Sequence, residues 1–162
     1  ARSVKSDDVD NNEEQADKYY WGNIFPDSLN LIRSDKHSPI NELLNYGYTI
    51  LRAVIARALI GSGLLAVCGI HRRNHNNDYC LADDIMEPYR PYVDQLVLDI
   101  IHNYTEISDI TREIKMQLLS IPILDVVING KRSPLMIAVQ QTTASLAKCF
   151  AGESKRISYP EM

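Results

Sequence analysis

The sequence has 162 residues, 45% of them hydrophobic and 23% charged, with a formal net charge of −4; this describes one globular domain long enough to bury a core. The net negative charge argues against a protein whose whole surface grips polyanions. The polar opening, and apolar stretches broken by Arg52 and Arg57, argue against a secreted or membrane-spanning chain. Three cysteines, Cys68, Cys80 and Cys149, are odd in number and lack CxxC spacing, so they read as reduced thiols of a cytoplasmic protein, with a zinc site from Cys68, Cys80, His71 and His75 as the less favoured use.

Residues 1–9 are polar and read as a flexible lead-in, with the folded domain over 10–162. Asp10 and Glu13 form a capping-box-like start for a helix reaching about Phe25, with Tyr20, Trp21, Ile24 and Phe25 on its apolar face and Pro26 as its stop. Residues 27–37 read as an irregular connection with a short helical turn. Ser38-Pro39 opens the central helix, in which Ile40, Leu43, Leu44, Gly47, Leu51, Val54, Ile55, Ala58 and Leu59 recur at helical spacing until Gly61-Ser62-Gly63. A mid-helix glycine costs about 1 kcal/mol against alanine, so Gly47 predicts another backbone passing close by.

Leu64 to Ile70 reads as a short buried connection, and His71 to Asp78 as a polar loop. Residues 82–103 form a helix that Pro88 and Pro91 kink or offset near Glu87. Thr111 to Leu119 is a further helix, residues 126–130 a strand entering a hairpin turn at Asn129-Gly130, and Ser133-Pro134 the start of a last helix ending at Gly152. The tail is short and polar. The fold class is mainly α: a single helical-bundle domain with at most one small β-hairpin.

Chemistry concentrates in the segment Gly69 to Pro91, GIHRRNHNNDYCLADDIMEPYRP. Residues 46–80 hold four arginines (Arg52, Arg57, Arg72 and Arg73) against one acid, Asp78, a local balance of +3 within an acidic chain. Asp84 and Glu87 stand three apart and share a helix face, whereas Asp83 points elsewhere. Two acids at that spacing also suit an ordinary helix start, but His71, on a loop 16 residues before Glu87, can fold back beside them. Glu13 is fully explained as a capping-box partner and becomes a ligand only if the first helix crosses the kinked one. One imidazole with carboxylates suits Mg²⁺ or Mn²⁺ better than zinc, and such an ion acts on phosphodiesters. No Ser-His-Asp arrangement, Walker loop or Rossmann glycine pattern is present.

LNYGYTILRA, then GIHR, then LADDIMEPYRPYVD, in this order and spacing, resemble the CRISPR-associated integrase of spacer acquisition, the larger of the two adaptation proteins, in its type II forms. DVDNNEEQADKYYWGNIF is similar to that family's Asp-Pro-x-Asn-x-Glu helix, with Val9 where the family usually has Pro and Arg72 where it often has a second His. The resemblance spans Val4 to Tyr159 and implies a metal site of Glu13, His71 and Glu87, with Asp84 as an auxiliary ligand. It also implies DNA phosphate contacts from Tyr48, Arg52, Arg72 and Arg90. The implied activity is Mg²⁺- or Mn²⁺-dependent cleavage and strand transfer on double-stranded DNA, joining a protospacer to a CRISPR repeat. The implied partners are a second copy of the full-length protein and the smaller adaptation protein, with no membrane. Family members carry a further amino-terminal β-rich dimerisation domain that this sequence does not supply, so the chain is expected to be the helical catalytic half.

Two other readings compete. The Asp83-Asp84-x-x-Glu87 run is similar to the aspartate-rich motif of isoprenoid synthases, but those need a second acidic motif on a facing helix. The second is a non-catalytic helical DNA- or protein-binding module whose acids are only helix caps.

Overall fold

A computed structural model describes residues 12–24, 38–66, 79–103 and 109–161. Within them the chain runs α1 (Asn12–Ile24), α2 (Pro39–Gly61), α3 (Cys80–Met86), a 3-10 turn (Glu87–Tyr89), α4 (Arg90–Asn103) and α5 (Arg112–Leu118). A second 3-10 turn (Ile121–Ile123), β1 (Asp125–Ile128), β2 (Lys131–Pro134), α6 (Leu135–Phe150) and β3 (Pro160–Glu161) complete the order. The fold is mainly α, as expected.

Helix α2 is the axis of the domain. Pro39 occupies its first turn, where a missing N–H costs nothing, and the Ser38 carbonyl accepts from the Glu42 amide at 3.0 Å. Leu43, Leu44, Leu51, Ile55 and Leu59 form a fully buried stripe at helical spacing. Helices α3, α4 and α6 pack on that stripe, each buried leucine contributing about 1.5–3 kcal/mol through burial. The helix ends as Gly63 takes φ +76 and the Leu64 amide bonds the Leu59 carbonyl. Among the described helices α2 alone has the length and hydropathy to cross a membrane, yet half of its most apolar stretch is buried in the domain, as for a core helix.

Gly47 does meet a close neighbour, but of a different kind from the backbone expected. A Cβ there would lie 2.6 Å from Val93 Cγ1 of α4 and 3.4 Å from Ile121 Cδ1, so the glycine makes room for side chains. The connection after α2 is only partly buried: Leu64 and Ala66 are half-buried against the core while Leu65 between them is largely exposed, and residues 67–70 lie outside the described part. The irregular connection expected over 27–37 lies outside it too.

The hairpin forms at Asn129-Gly130, both with positive φ (51° and 70°), which a two-residue turn of this hand requires. It pairs Val126 with Ser133 and Ile128 with Lys131. Pro134 therefore ends β2, and α6 starts one residue later than the Ser-Pro signal suggested; Pro134 is extended (ψ 141°) and can lie at a strand end because it needs no ladder donor there. The carboxy-terminal tail is more than a polar end. Its β3 pairs antiparallel with β1, giving a three-stranded sheet in the order β2-β1-β3. Glu161 closes the hairpin by accepting from the Gly130 amide at 2.9 Å, and its carbonyl accepts from the Tyr92 hydroxyl at 2.8 Å.

Candidate functional site

The interruption between α3 and α4 falls on Glu87. Pro88 and Pro91 each lack an N–H, so the helical ladder yields to a 3-10 turn over Glu87–Tyr89 before α4 resumes. Met86 and Tyr89 are buried on either side, and the Glu87 side chain, 39% exposed, turns outward between them.

The three acids of this segment have three different surroundings. Asp83 is buried and accepts from Arg52 Nε at 2.7 Å. This bond holds the Arg52 guanidinium near the Tyr79 ring, 5.9 Å from its centroid, while 43% of the Arg52 side chain stays exposed. Asp84 is half-buried and lies towards the carboxy-terminal segment, where Tyr159 has its hydroxyl pKa raised by burial first and then by the negative charge of Cys149 and Asp84. Glu87 Oε1 lies 3.3 Å from Arg90 Nη2. The Arg90 guanidinium stacks over the Tyr48 ring at 5.2 Å, and its Nε is buried without a hydrogen-bond partner, so the ring rather than an acceptor fixes that edge.

Tyr48 is itself turned inward. Its hydroxyl donates to Asp94 Oδ1, while the hydroxyl of Tyr20, from α1, donates to Asp94 Oδ2 at 2.6 Å. Asp94 is fully buried. Tyr48, Arg90 and Glu87 are thus linked in one chain of contacts, whereas Arg52 stands on the separate Asp83 branch. The phosphate contact expected from Tyr48 does not fit this arrangement: its hydroxyl donates to Asp94 and its buried ring is stacked by Arg90, so Tyr48 bears on the site through Arg90.

His71 and Arg72 lie outside the described residues, and Glu13 is described only as a backbone position in α1. Cys68, His71 and His75 of the zinc alternative also lie outside the described residues, and among the described ones no three His, Cys, Asp or Glu side chains gather as a metal site. What they offer is the oxygen donors Asp84 and Glu87, a donor type that fits a hard divalent cation such as Mg²⁺ or Mn²⁺.

In the sequence Asp94 carries no nominated role, and Tyr20 reads there only as part of an apolar face. The available signal was an acid flanked by Val93 and Val97 in the buried stripe of α4, seven residues after Glu87. An acid inside an apolar stripe needs a partner.

The chain matches the family model described as CRISPR associated protein Cas1 over residues 1–120. It is 30% identical, over its whole length, to a CRISPR-associated endonuclease Cas1 of Neisseria meningitidis, of which it covers 53%. A second such endonuclease, from Francisella tularensis subsp. novicida, is 30% identical over 70% of this chain and 37% of that protein. The chain thus spans about half the length, or less, of these relatives. Among solved structures, a casposase bound to its integration product has a similar fold, with a TM-score of 0.69 over 83% of this chain and 44% of that one at 23% identity. With a family match over residues 1–120, most of its length, the chain belongs to the Cas1 family of CRISPR-associated proteins.

Proposed function

We propose that this chain carries the metal-dependent cleavage and strand-transfer centre of an integrase that inserts new spacers into a CRISPR array. The observation that carries the reading is the similarity, over the whole of this chain and 53% of the relative, to a protein named as a CRISPR-associated endonuclease. In this reading Glu13, His71 and Glu87 hold Mg²⁺ or Mn²⁺, with Asp84 as an auxiliary ligand. When bound, such an ion neutralises developing charge on phosphate oxygens and lowers the pKa of an attacking hydroxyl.

The surrounding residues have distinct tasks. The helix break aims Glu87 outward from a buried framework, so the ligand position is set by Pro88 and Pro91 rather than by a mobile loop. Arg90 neutralises Glu87 while DNA is absent. The stacked ring of Tyr48 holds its guanidinium in place, and a phosphate can take over the Nη2 contact that the carboxylate accepts at 3.3 Å. Arg52 is anchored through Nε, which leaves its Nη groups to face a phosphate. Arg72, next to His71, is the third phosphate contact in this reading. Double-stranded DNA is the substrate, both protospacer and repeat, and the full-length protein acts as a homodimer with the smaller adaptation protein.

The test is Mn²⁺-dependent nicking and joining of a branched DNA by the full-length protein. Glu87→Ala and His71→Ala are each expected to lower the rate by at least about a hundredfold while the far-UV circular dichroism stays that of the wild type. Equal rates in all three proteins would overturn the reading and favour a non-catalytic helical module.

A further inference from the structure

Asp94 is an acid with no task in the reading above. It is fully buried, between Val93 and Val97 on the core side of α4, where an ionised carboxylate loses its hydration. Its two oxygens are each used: Tyr48 of α2 donates to Oδ1 and Tyr20 of α1 donates to Oδ2. One carboxylate therefore joins three helices.

The consequence differs for each arm. Through Tyr48, Asp94 fixes the ring on which Arg90 stacks, and Arg90 in turn contacts Glu87. Through Tyr20, it fixes α1. Among the described side chains of that helix, Tyr20, Trp21 and Ile24 are half-covered, and Trp21 and Ile24 pack against the core. Tyr20 stands seven residues after Glu13 in α1, as Asp94 stands seven after Glu87. Within α1 seven residues is close to two turns, so positions 13 and 20 fall on one face of that helix, whereas Glu87 stands in the 3-10 turn that leads into α4. The hydrogen bond between Tyr20 and Asp94 thus ties α1, which carries Glu13, to α4, which follows directly on the turn that carries Glu87. A buried charge of this kind is weak as a source of stability, and its best-attested use is to fix register.

We infer that Asp94 is a positioning residue for the metal ligands, holding α1 against α4 through Tyr20, and Arg90 beside Glu87 through Tyr48, so that Glu13 and Glu87 face one cation. The inference rests on the proposed metal site and adds to it the device that brings its two distant carboxylates into line.

The probe is Mn²⁺ itself, titrated into the full-length protein without DNA and followed by electron paramagnetic resonance, beside thermal melting. Outer contacts of metal ligands typically change affinity 10–100-fold, so Tyr20→Phe and Asp94→Asn are each expected to weaken Mn²⁺ binding about tenfold. Glu87→Ala and His71→Ala should weaken it further. Tyr20→Phe removes one hydroxyl and no ring, so it keeps the test open should Asp94→Asn fail to fold. A merely structural Asp94 would lower the melting temperature and leave Mn²⁺ affinity unchanged. Weakened binding in Glu87→Ala and His71→Ala, with Tyr20→Phe at wild-type affinity, overturns this inference alone. No Mn²⁺ binding by the wild type overturns it together with the proposed site.

Discussion

The two flanks of α2 solve the same problem, burying polar groups beside an apolar stripe, in opposite ways. Towards α3 and α4 two acids are buried: Asp83 held by Arg52, and Asp94 held by two tyrosines. Towards α6 the polar groups are neutral hydroxyls. Tyr89 shares a hydrogen bond with Thr142 at 2.6 Å, and Ser62 donates to Thr143, at 2.9 Å, whose own hydroxyl reaches the Ala58 carbonyl at 3.3 Å. Neutral hydroxyl pairs bury at little cost and each adds about 1 kcal/mol. Buried acids add little net stability but fail badly when a partner is removed. The flank bearing Glu87 and Arg90 is thus built for fixed geometry, and the α6 flank for cohesion.

The sharpest way to break the cohesive side is to hollow the stripe itself. Leu59→Ala, at a fully buried position of α2, should cost about 2–5 kcal/mol in urea unfolding with little change in the slope. A loss under 1 kcal/mol would mean that α6 does not depend on that stripe. Next is Gly47, where α4 presses on α2. Alanine there gains about 1 kcal/mol of helix propensity but sets a Cβ 2.6 Å from the stiff Val93 side chain, an overpacking worth about 1–3 kcal/mol. Gly47→Ala should therefore be neutral to destabilising by about 2 kcal/mol, and Gly47→Ala with Val93→Ala should show a favourable coupling in a double-mutant cycle.

The smallest effect belongs to Tyr89→Phe, about 1 kcal/mol at neutral pH for the lost Thr142 bond. Its alkaline behaviour is more telling. Burial pushes the Tyr89 hydroxyl up to about 12, with the Thr142 hydrogen bond opposing it. The folded state then holds a proton that the unfolded chain has lost above pH 10, so stability is intact below pH 10 and falls as pH rises towards 12, by about 1.4 kcal/mol per pH unit at the steepest. Tyr89→Phe should flatten that slope; an unchanged slope would place the alkaline sensitivity at other tyrosines.

The same contrast explains what could be read from the residues. Apolar periodicity gave α2 and its core stripe, Pro88 and Pro91 gave the break at Glu87, and Asn129-Gly130 gave the hairpin, because each is a local rule with a local cause. The third strand was not legible: Pro160-Glu161 has no strand signal of its own and becomes one by pairing with β1, 30 or so residues away. Gly47 signalled a close approach but not its author, since Val93 reaches it only through packing. On the polar flank, Asp83 read correctly as turned away from Glu87, yet its pairing with Arg52, and the fork of Tyr20 and Tyr48 on Asp94, depend on which helices meet. Family resemblance nominated Tyr48 and Arg90 as site residues; that the one stacks on the other is a fact of the folded chain.

The central claim concerns a cation held by residues from three separate segments, and crystals of the full-length protein soaked with Mn²⁺ test it most directly. Anomalous scattering should show one ion bonded to Glu13, His71 and Glu87 at about 2.0–2.3 Å, with Asp84 beside it. An ion bound elsewhere, or no ion at millimolar Mn²⁺, would contradict the account.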